Sequence, residues 1–411
     1  MNKVLTRTSE FLALRRNTTL LLLALVLAGT GERLWLGFAP KYLQVLGASV
    51  FVIGLFDAIT TLLGALYAYP GGWVTDHWGQ RRSLMLFSAL SLAGYLLLLV
   101  WHHWLALLFG AFLFLAWSAL SLPATFSIVA TSLESQRHTM GIGVQSMVRR
   151  IPMMLGPLVA GWLISRFGWT DGIRYALLIC VVLTLLTIAF QRLLFDATNT
   201  SGAAQTPPAG ANFVRVVKSF SPALRELLVS DILIRFCERI PYAWVVIWAL
   251  DHAAVTPQQY GYLVTIEMIT AMFCYIPVAH LADKYGRRPF VLATFIFFTL
   301  FPISLLWAKN FAWLVLAFAV RGLKEFGEPA RKALIIGEAR PELRARTYGA
   351  YYLIRDCIVT LGSFLGVWLW KISPQANFAG AAIFGGMGAV WFWWFVYRNR
   401  PLEGRAGNGK N

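Results

Sequence analysis

The chain has 411 residues, 58% hydrophobic and 13% charged, where soluble globular chains carry roughly 45–50% apolar and about a quarter charged residues. This excludes a disordered chain, and four cysteines are too sparse for a disulfide scaffold. The 36 Lys+Arg against 19 Asp+Glu leave a net charge of +17, which on a soluble chain would point to nucleic acid, so the placement of the cations decides their meaning.

Apolar runs long enough to cross about 30 Å of hydrocarbon recur along the whole sequence. In chain order they predict spans at 18–44, 48–70, 83–101, 104–131, 141–165 and 172–192, then at 227–250, 259–281, 289–308, 311–337, 347–370 and 376–397. The first follows Arg15-Arg16 without a small-residue cleavage site, so it reads as an uncleaved helix. Residues 196–212, with Pro207-Pro208 and many small polar residues, break the hydropathy as a flexible linker does. The expected fold is therefore an all-α integral membrane protein. Twelve transmembrane helices form two pseudo-twofold-related six-helix bundles, 1–195 and 226–411, joined by a cytoplasmic linker at 196–225.

Loop cations set the orientation. Lys3, Arg7, Arg15, Arg16, Arg81, Arg82, Arg137, Arg192, Arg215, Lys284, Arg287, Arg288, Arg340 and Arg398 fall on one side, and the other side holds little more than Lys41, Arg166, Arg174, Lys309 and Lys371. The positive-inside rule puts both termini in the cytoplasm of a cell whose inner membrane the chain crosses repeatedly. Much of the +17 is thus a topology signal, and no nucleic-acid partner is needed. Trp391, Trp393, Trp394 and Tyr397 beside Arg398 read as an interfacial aromatic belt in contact with lipid. Cys180, Cys237, Cys274 and Cys357 lie inside spans without metal-ligand spacing, and no phosphate-cradling loop or nucleophile elbow occurs. The expectation is no cofactor, no metal and no enzymatic activity.

The two halves repeat in parallel. Glu32-Arg33 recurs as Glu238-Arg239, and Trp101, Pro123, Gly143, Arg149 and Gly156 recur as Trp307, Pro329, Gly349, Arg355 and Gly362, all 206 residues later. Gly54 with Gly261 and Asp76 with Asp283 are offset by 207. Repeated halves in a polytopic protein indicate a transporter whose site lies near the bilayer midplane.

After the second span comes Gly72-Trp-Val-Thr-Asp76-His-Trp-Gly79-Gln-Arg81-Arg82, and after the eighth Ala279-His-Leu-Ala-Asp283-Lys-Tyr-Gly286-Arg287-Arg288. Both resemble the G-x-x-x-D-x-x-G-x-[RK]-[RK] loop of the major facilitator superfamily, the second copy departing from it at Ala279. The resemblance implies twelve spans, alternating access, and a charge-assisted cytoplasmic latch of Asp76 and the nearby arginines that holds the halves together when the site faces outward. Gly156-Pro157-Leu-Val-Ala-Gly161 resembles the G-P-x-x-G core of the antiporter motif of facilitator-family exporters. Small residues there let helices approach closely. The longer motif places a Gly where this chain has Pro152.

Ionisable residues inside a span cost a few kcal/mol or more, so each asks for a partner or a function. Glu32, Arg33, Arg149, Glu238, Arg239 and Arg355 lie deep in their spans at repeat-related positions, with Asp57 and Glu267 part-way down the second and eighth. Neighbouring residues point about 100° apart on a helix, so the two members of a Glu-Arg pair face different partners. The tenth span carries Arg321, Lys324, Glu325, Glu328, Arg331 and Lys332 along one stripe, and Arg321–Glu325 and Lys324–Glu328 have the i,i+4 spacing of ion pairs. Its repeat partner has no charge between Trp104 and Thr131. The superfamily expects an arginine there, and Arg321 is the candidate to do similar work. The Glu-Arg pair of the first span also resembles that of proton-coupled oligopeptide transporters, which carry another Glu three residues earlier. This chain has Gly29, so that reading is not adopted.

These residues predict a proton-coupled secondary transporter of a small anionic or zwitterionic organic molecule, acting as a monomer. A carboxylate shielded from water can load a proton on one side and release it on the other. Glu32 and Glu238, then Asp57 and Glu267, are the coupling candidates. Arg33, Arg149, Arg239, Arg355, Arg321 and Glu325 are the substrate-binding candidates, with Tyr42, Trp35, Tyr242, Trp244, Tyr351 and Tyr352 as aromatic walls. Gly72, Asp76, Gly79, Arg81, Arg82, Asp283, Gly286, Arg287 and Arg288 form the latch, and Gly156, Pro157 and Gly161 the packing motif. Direction leans to efflux by antiport. The alternatives are import by symport and a non-transporting sensor on the same fold.

Overall fold

The computed structural model describes residues 16–118, 120, 150–193, 213–339 and 343–398, and among these every regular element is helical. The first span is a bent pair, α1 (Arg16–Leu36) and α2 (Ala39–Val45), which meet at 41°. The second is α3 (Val50–Leu66), continued by α4 (Ala68–Trp78) well past residue 70. Next come α5 (Gln80–Val100) and α6 (Trp104–Phe114). α7 (Arg150–Arg192) contains the fifth and sixth spans, broken at Gly168, where φ is 79°. Residues 119 and 121–149, with the end of the fourth span, the start of the fifth and Arg149, lie outside the described residues.

Part of the expected linker is helical. α8 (Phe213–Lys218) and the following Phe220 belong to the hydrophobic core, with Val216 and Phe220 buried against Leu224 and Leu227. The second set is α9 (Pro222–Tyr242), α10 (Trp244–Asp251), α11 (Pro257–Tyr285), α12 (Arg288–Trp307), α13 (Phe311–Leu323), α14 (Glu328–Gly337), α15 (Arg344–Ile372), α16 (Pro374–Trp391) and a π-helix at Phe392–Arg398. Ser221, Asn310 and Ser373 cap α9, α13 and α16 by accepting a backbone N–H.

Five of these helices are long and apolar enough to cross a membrane, six counting the bent pair. α9 fails that test because Arg225, Glu226, Asp231, Arg235, Glu238 and Arg239 lower its hydropathy. The tenth span fails because it is not one helix: residues 324–327 form a turn between α13 and α14. α9 and the broken tenth span carry the chemistry described below.

The chain divides into two compact units. One comprises Met1–Ser49, Ile59–Ala203 and Thr256–Thr265, and the other Val50–Ala58, Ala204–Val255 and Ile266–Asn411. The start of α3 thus belongs with the second set of helices, and the start of α11 with the first. In the first unit, Leu22, Leu25, Ala28, Leu84, Phe87 and Trp117 form a core. In the second, Phe295, Phe298, Leu334, Ile335, Tyr351 and Phe392 are among the residues buried together.

Candidate functional site

The second unit contains a network of ion pairs among spans in which charge is costly. Two groups of contacts build it, joined through Glu328 and Arg235, and a further pair is reached along α9.

At its buried end, Asp231 of α9 is fully buried and faces Arg331 of α14, Arg355 of α15 at 3.4 Å and the Tyr351 hydroxyl, which donates to it at 3.1 Å. Arg331, 1% exposed, also binds Glu328 at 2.7 Å, and Arg355 binds Asp356 at 2.7 Å. One carboxylate therefore ties three helices together, and removing it would leave two buried guanidinium groups short of a partner.

In the middle, Arg235 lies between Glu238 at 2.7 Å and Glu328 at 3.3 Å. Lys324 reaches Glu238 at 2.8 Å and Glu267 of α11 at 3.4 Å, and Arg321 reaches Glu267 at 3.2 Å. The approach of α13 to α11 depends on Gly322: a Cβ there would lie 2.6 Å from both the Glu267 carbonyl oxygen and the Thr270 side chain. Lys324 does not take the i,i+4 partner that its spacing offers. The turn at 324–327 breaks the helical register, so Lys324 turns to α9 and α11 while Glu328 takes Arg331 and Arg235. Glu325 lies in that turn.

At the third point, Asp57 in the middle of α3 meets Arg239 at 3.3 Å and accepts a hydrogen bond from Ser363 at 2.6 Å. Glu238 and Arg239, adjacent in sequence, thus serve different partners, as the 100° step of a helix dictates.

Beside Lys324 is a small pocket lined by Glu238, Tyr242, Val245, Phe298, Phe301, Arg321 and Lys324. Its cations rest on rings: Arg321 lies 5.1 Å from the Phe301 centroid and Lys324 5.8 Å from Phe298. Outside the lining, Arg239 lies 4.5 Å from the Tyr242 centroid.

The first unit is built differently. Glu32 is buried and lies close enough to Tyr95 and Cys180 to act on both electrostatically. Arg33 is half-buried. The α1–α7 contact is made by small residues: Cys180 donates to the Gly31 carbonyl at 2.9 Å, and a Cβ on Gly156 would sit 2.6 Å from the Arg33 carbonyl carbon. Pro157 lies with its carbonyl against Gly261, and Gly161 lies against the Pro257 carbonyl, so this motif faces the start of α11. Gly29 and Pro152, where the sequence departs from two different motifs, touch each other: a Cβ on Gly29 would be 3.1 Å from the Pro152 ring.

Of the aromatic candidates, only Tyr242 lines the pocket. Trp35 packs edge-on to Phe114, Trp244 stacks on Trp370, Tyr42 is buried, Tyr351 binds Asp231 and Tyr352 lies under Arg355. Phe298, Phe301 and Ser363 escape sequence reasoning, because in a hydrophobic span a phenylalanine that lines a pocket has the same pattern as one that packs a core. The partners of Lys324, Glu328 and Arg331 on α9 and α11 lie too far along the chain for spacing to pair them.

In the two signature loops, Gly79 links α4 to α5 with φ 79°, and Gly286 links α11 to α12 with φ 88°. Both turns use the left-handed region that glycine enters without strain, which gives the two glycines of the signature a physical reason. Arg288 is buried, Arg81 and Arg287 are half-buried, and Arg82 is exposed. The side chains at Gly72, Asp76 and Asp283 lie outside the described ones. Among the described residues no cluster of His, Cys, Asp or Glu could hold a metal ion.

A profile described as the Major Facilitator Superfamily matches residues 21–250 and 227–411. The chain is 24% identical to the multidrug resistance protein MdtG of Enterobacter lignolyticus over 389 residues, 90% of this chain and 88% of that one. It is 23% identical to MdtG of Citrobacter koseri, covering 94% and 96%. Among solved structures it is similar to a POT family transporter in complex with 5-aminolevulinic acid, with TM-score 0.76, 14% identity and coverage of 92% and 94%. It is also similar to the nucleoside transporter NupG, with TM-score 0.77, 14% identity and coverage of 92% and 99%.

Proposed function

As the chain belongs to the Major Facilitator Superfamily and is a multi-pass membrane secondary transporter of small molecules, not an enzyme, we propose that it exports a small zwitterionic or anionic organic molecule in exchange for protons. It does so from the inner membrane as a monomer with both termini in the cytoplasm. The observation that carries this reading is Lys324, shared between Glu238 and Glu267 at the edge of the pocket. Exchange requires proton and substrate to compete for the same groups. A proton on Glu238 or Glu267 releases Lys324 from that carboxylate, and a substrate that occupies the pocket needs the carboxylate charged again. Glu32 and Asp57 remain coupling candidates of second rank, and Arg321 and Lys324 are the principal substrate cations, ahead of Arg33, Arg149, Arg239 and Arg355. Arg239 and Arg355 already hold Asp57 and Asp231. The multidrug resistance relatives support export.

Alternation uses the two repeats, 1–195 and 226–411, around the linker 196–225, with the Asp76 and Asp283 loops as the cytoplasmic latch. Reconstitution into proteoliposomes tests the reading. An acid exterior should drive efflux from the cytoplasmic-like side, and substrate addition should move protons the opposite way. A second reading, symport of an organic anion, is favoured by the grouping of Arg235, Arg321 and Lys324 near one pocket. It predicts proton and substrate moving in the same direction.

A further inference from the structure

Two cations hold Glu238, and they come from different places in the fold. Arg235, one turn earlier on α9, lies at 2.7 Å, and Lys324, from the turn after α13, lies at 2.8 Å. Each has another acid within reach. Arg235 also meets Glu328 at 3.3 Å and lies 3.8 Å from Asp231, while Lys324 also meets Glu267 at 3.4 Å. Both side chains are long and flexible, so ion pairing alone does not decide which acid each one keeps.

Both also lie over one ring. The Arg235 guanidinium is 5.2 Å and the Lys324 ammonium 5.8 Å from the Phe298 centroid, within the roughly 6 Å over which the face of a ring attracts a cation. Phe298 is itself fixed. It is 5% exposed and belongs to a core with Ile234 and Phe295. Its backbone carbonyl accepts from the Cys237 thiol at 3.3 Å, and Cys237 precedes Glu238 directly. The ring is therefore held in register with the acid whose cations it carries. Three residues further along α12, Phe301 carries a different cation: Arg321, the partner of Glu267, lies 5.1 Å from its centroid.

A proton on Glu238 takes away the charge that both cations face. A cation left without an acceptor in a poor solvent is costly, so Arg235 would turn to Glu328 and Lys324 to Glu267. A ring with a negative face gives both a second place to rest beside Glu238, which an aliphatic side chain of similar size does not. We infer that Phe298 is a positioning residue for Glu238, its ring keeping Arg235 and Lys324 beside the carboxyl group while it carries a proton, so that the pair reforms when the proton leaves. This deepens the proton-coupling reading above and rests on it.

The test replaces Phe298 in the full-length protein, by nonsense suppression, with phenylalanines carrying one, two or three ring fluorines. Fluorine withdraws electron density from the ring face and hardly changes its size. The readout is an infrared pH titration in detergent, following the carboxyl band that Glu238→Gln removes. The midpoint of that band should move stepwise with fluorine number, by about one pH unit with three fluorines, a ten-fold change in proton affinity. Phe298→Leu should move it at least as far, and three fluorines on Phe301 should leave it in place. The fluorinated series stands even if Phe298→Leu fails to fold. A midpoint that ignores the fluorines, or moves equally with those on Phe301, overturns the role of Phe298 and spares Glu238 as the proton site. Absence of a Glu238 band in every form, wild type included, would sink the proton reading and this role with it.

Discussion

Glu32-Arg33 and Glu238-Arg239 occupy the same place in a repeated sequence, yet their surroundings differ in kind. Around the first pair, α1 and α7 meet through Gly29, Gly31, Gly156, Cys180 and Pro152, a contact of small groups and close backbones. Around the second, α9 meets α11, α13, α14 and α15 through carboxylates and cations. Dispersion between closely packed backbones holds one contact, and paired charges that tolerate no missing partner hold the other. A charge network can be rearranged by one proton, whereas a glycine contact cannot. Among the described residues, ion pairs between spans stand around the second pair and close packing of small residues around the first, and we propose the second as the seat of proton coupling.

The comparison breaks most easily at Asp231. Asp231→Asn should cost about 3–5 kcal/mol, because Arg331 and Arg355 lose their shared buried charge. Thermal unfolding of the detergent-solubilised protein measures it, and a change below about 1 kcal/mol would mean the network is not buried as described. Next in size is Gly29→Glu, which forces a side chain into Pro152. It should abolish monodisperse protein on size exclusion, and Pro152→Gly in the same chain should restore it. If Gly29→Glu alone is tolerated, the first unit is not held by close approach.

Ser363→Ala removes a hydrogen bond to a charged acceptor at Asp57 and should cost about 1.5–3 kcal/mol, read from the same melts. The smallest effect belongs to Lys332, whose side chain is 44% exposed and lies 3.6 Å from Glu328. Lys332→Ala should change stability by less than about 1 kcal/mol, which would separate the rim of the network from its buried interior.

What could be read from the sequence was whatever is local or periodic. The 206-residue offset exposes the repeat because both halves keep Gly, Pro and charged residues at matching positions. The signature glycines at 79 and 286 mark real turns, since few other residues adopt their backbone angles without strain. Partners far apart in sequence were hidden. Asp57 and Arg239 are 182 positions apart, and Asp231 and Arg331 are 100 apart. The i,i+4 spacing of Lys324 and Glu328 misled because spacing predicts a contact only while the helix continues, and here it turns at 324–327. Gly29 and Pro152 each looked like a defect in a separate motif. Only their contact shows that one makes room for the other.

We propose that protons act through Glu238 and its shared lysine. Substrate-driven proton movement in proteoliposomes tests it most directly, comparing the wild type with Glu238→Gln and Glu32→Gln. Glu238→Gln should lower proton movement at least ten-fold below wild type while the protein still melts cooperatively, and Glu32→Gln should retain a measurable fraction. Wild-type coupling in Glu238→Gln, or loss confined to Glu32→Gln, would contradict it.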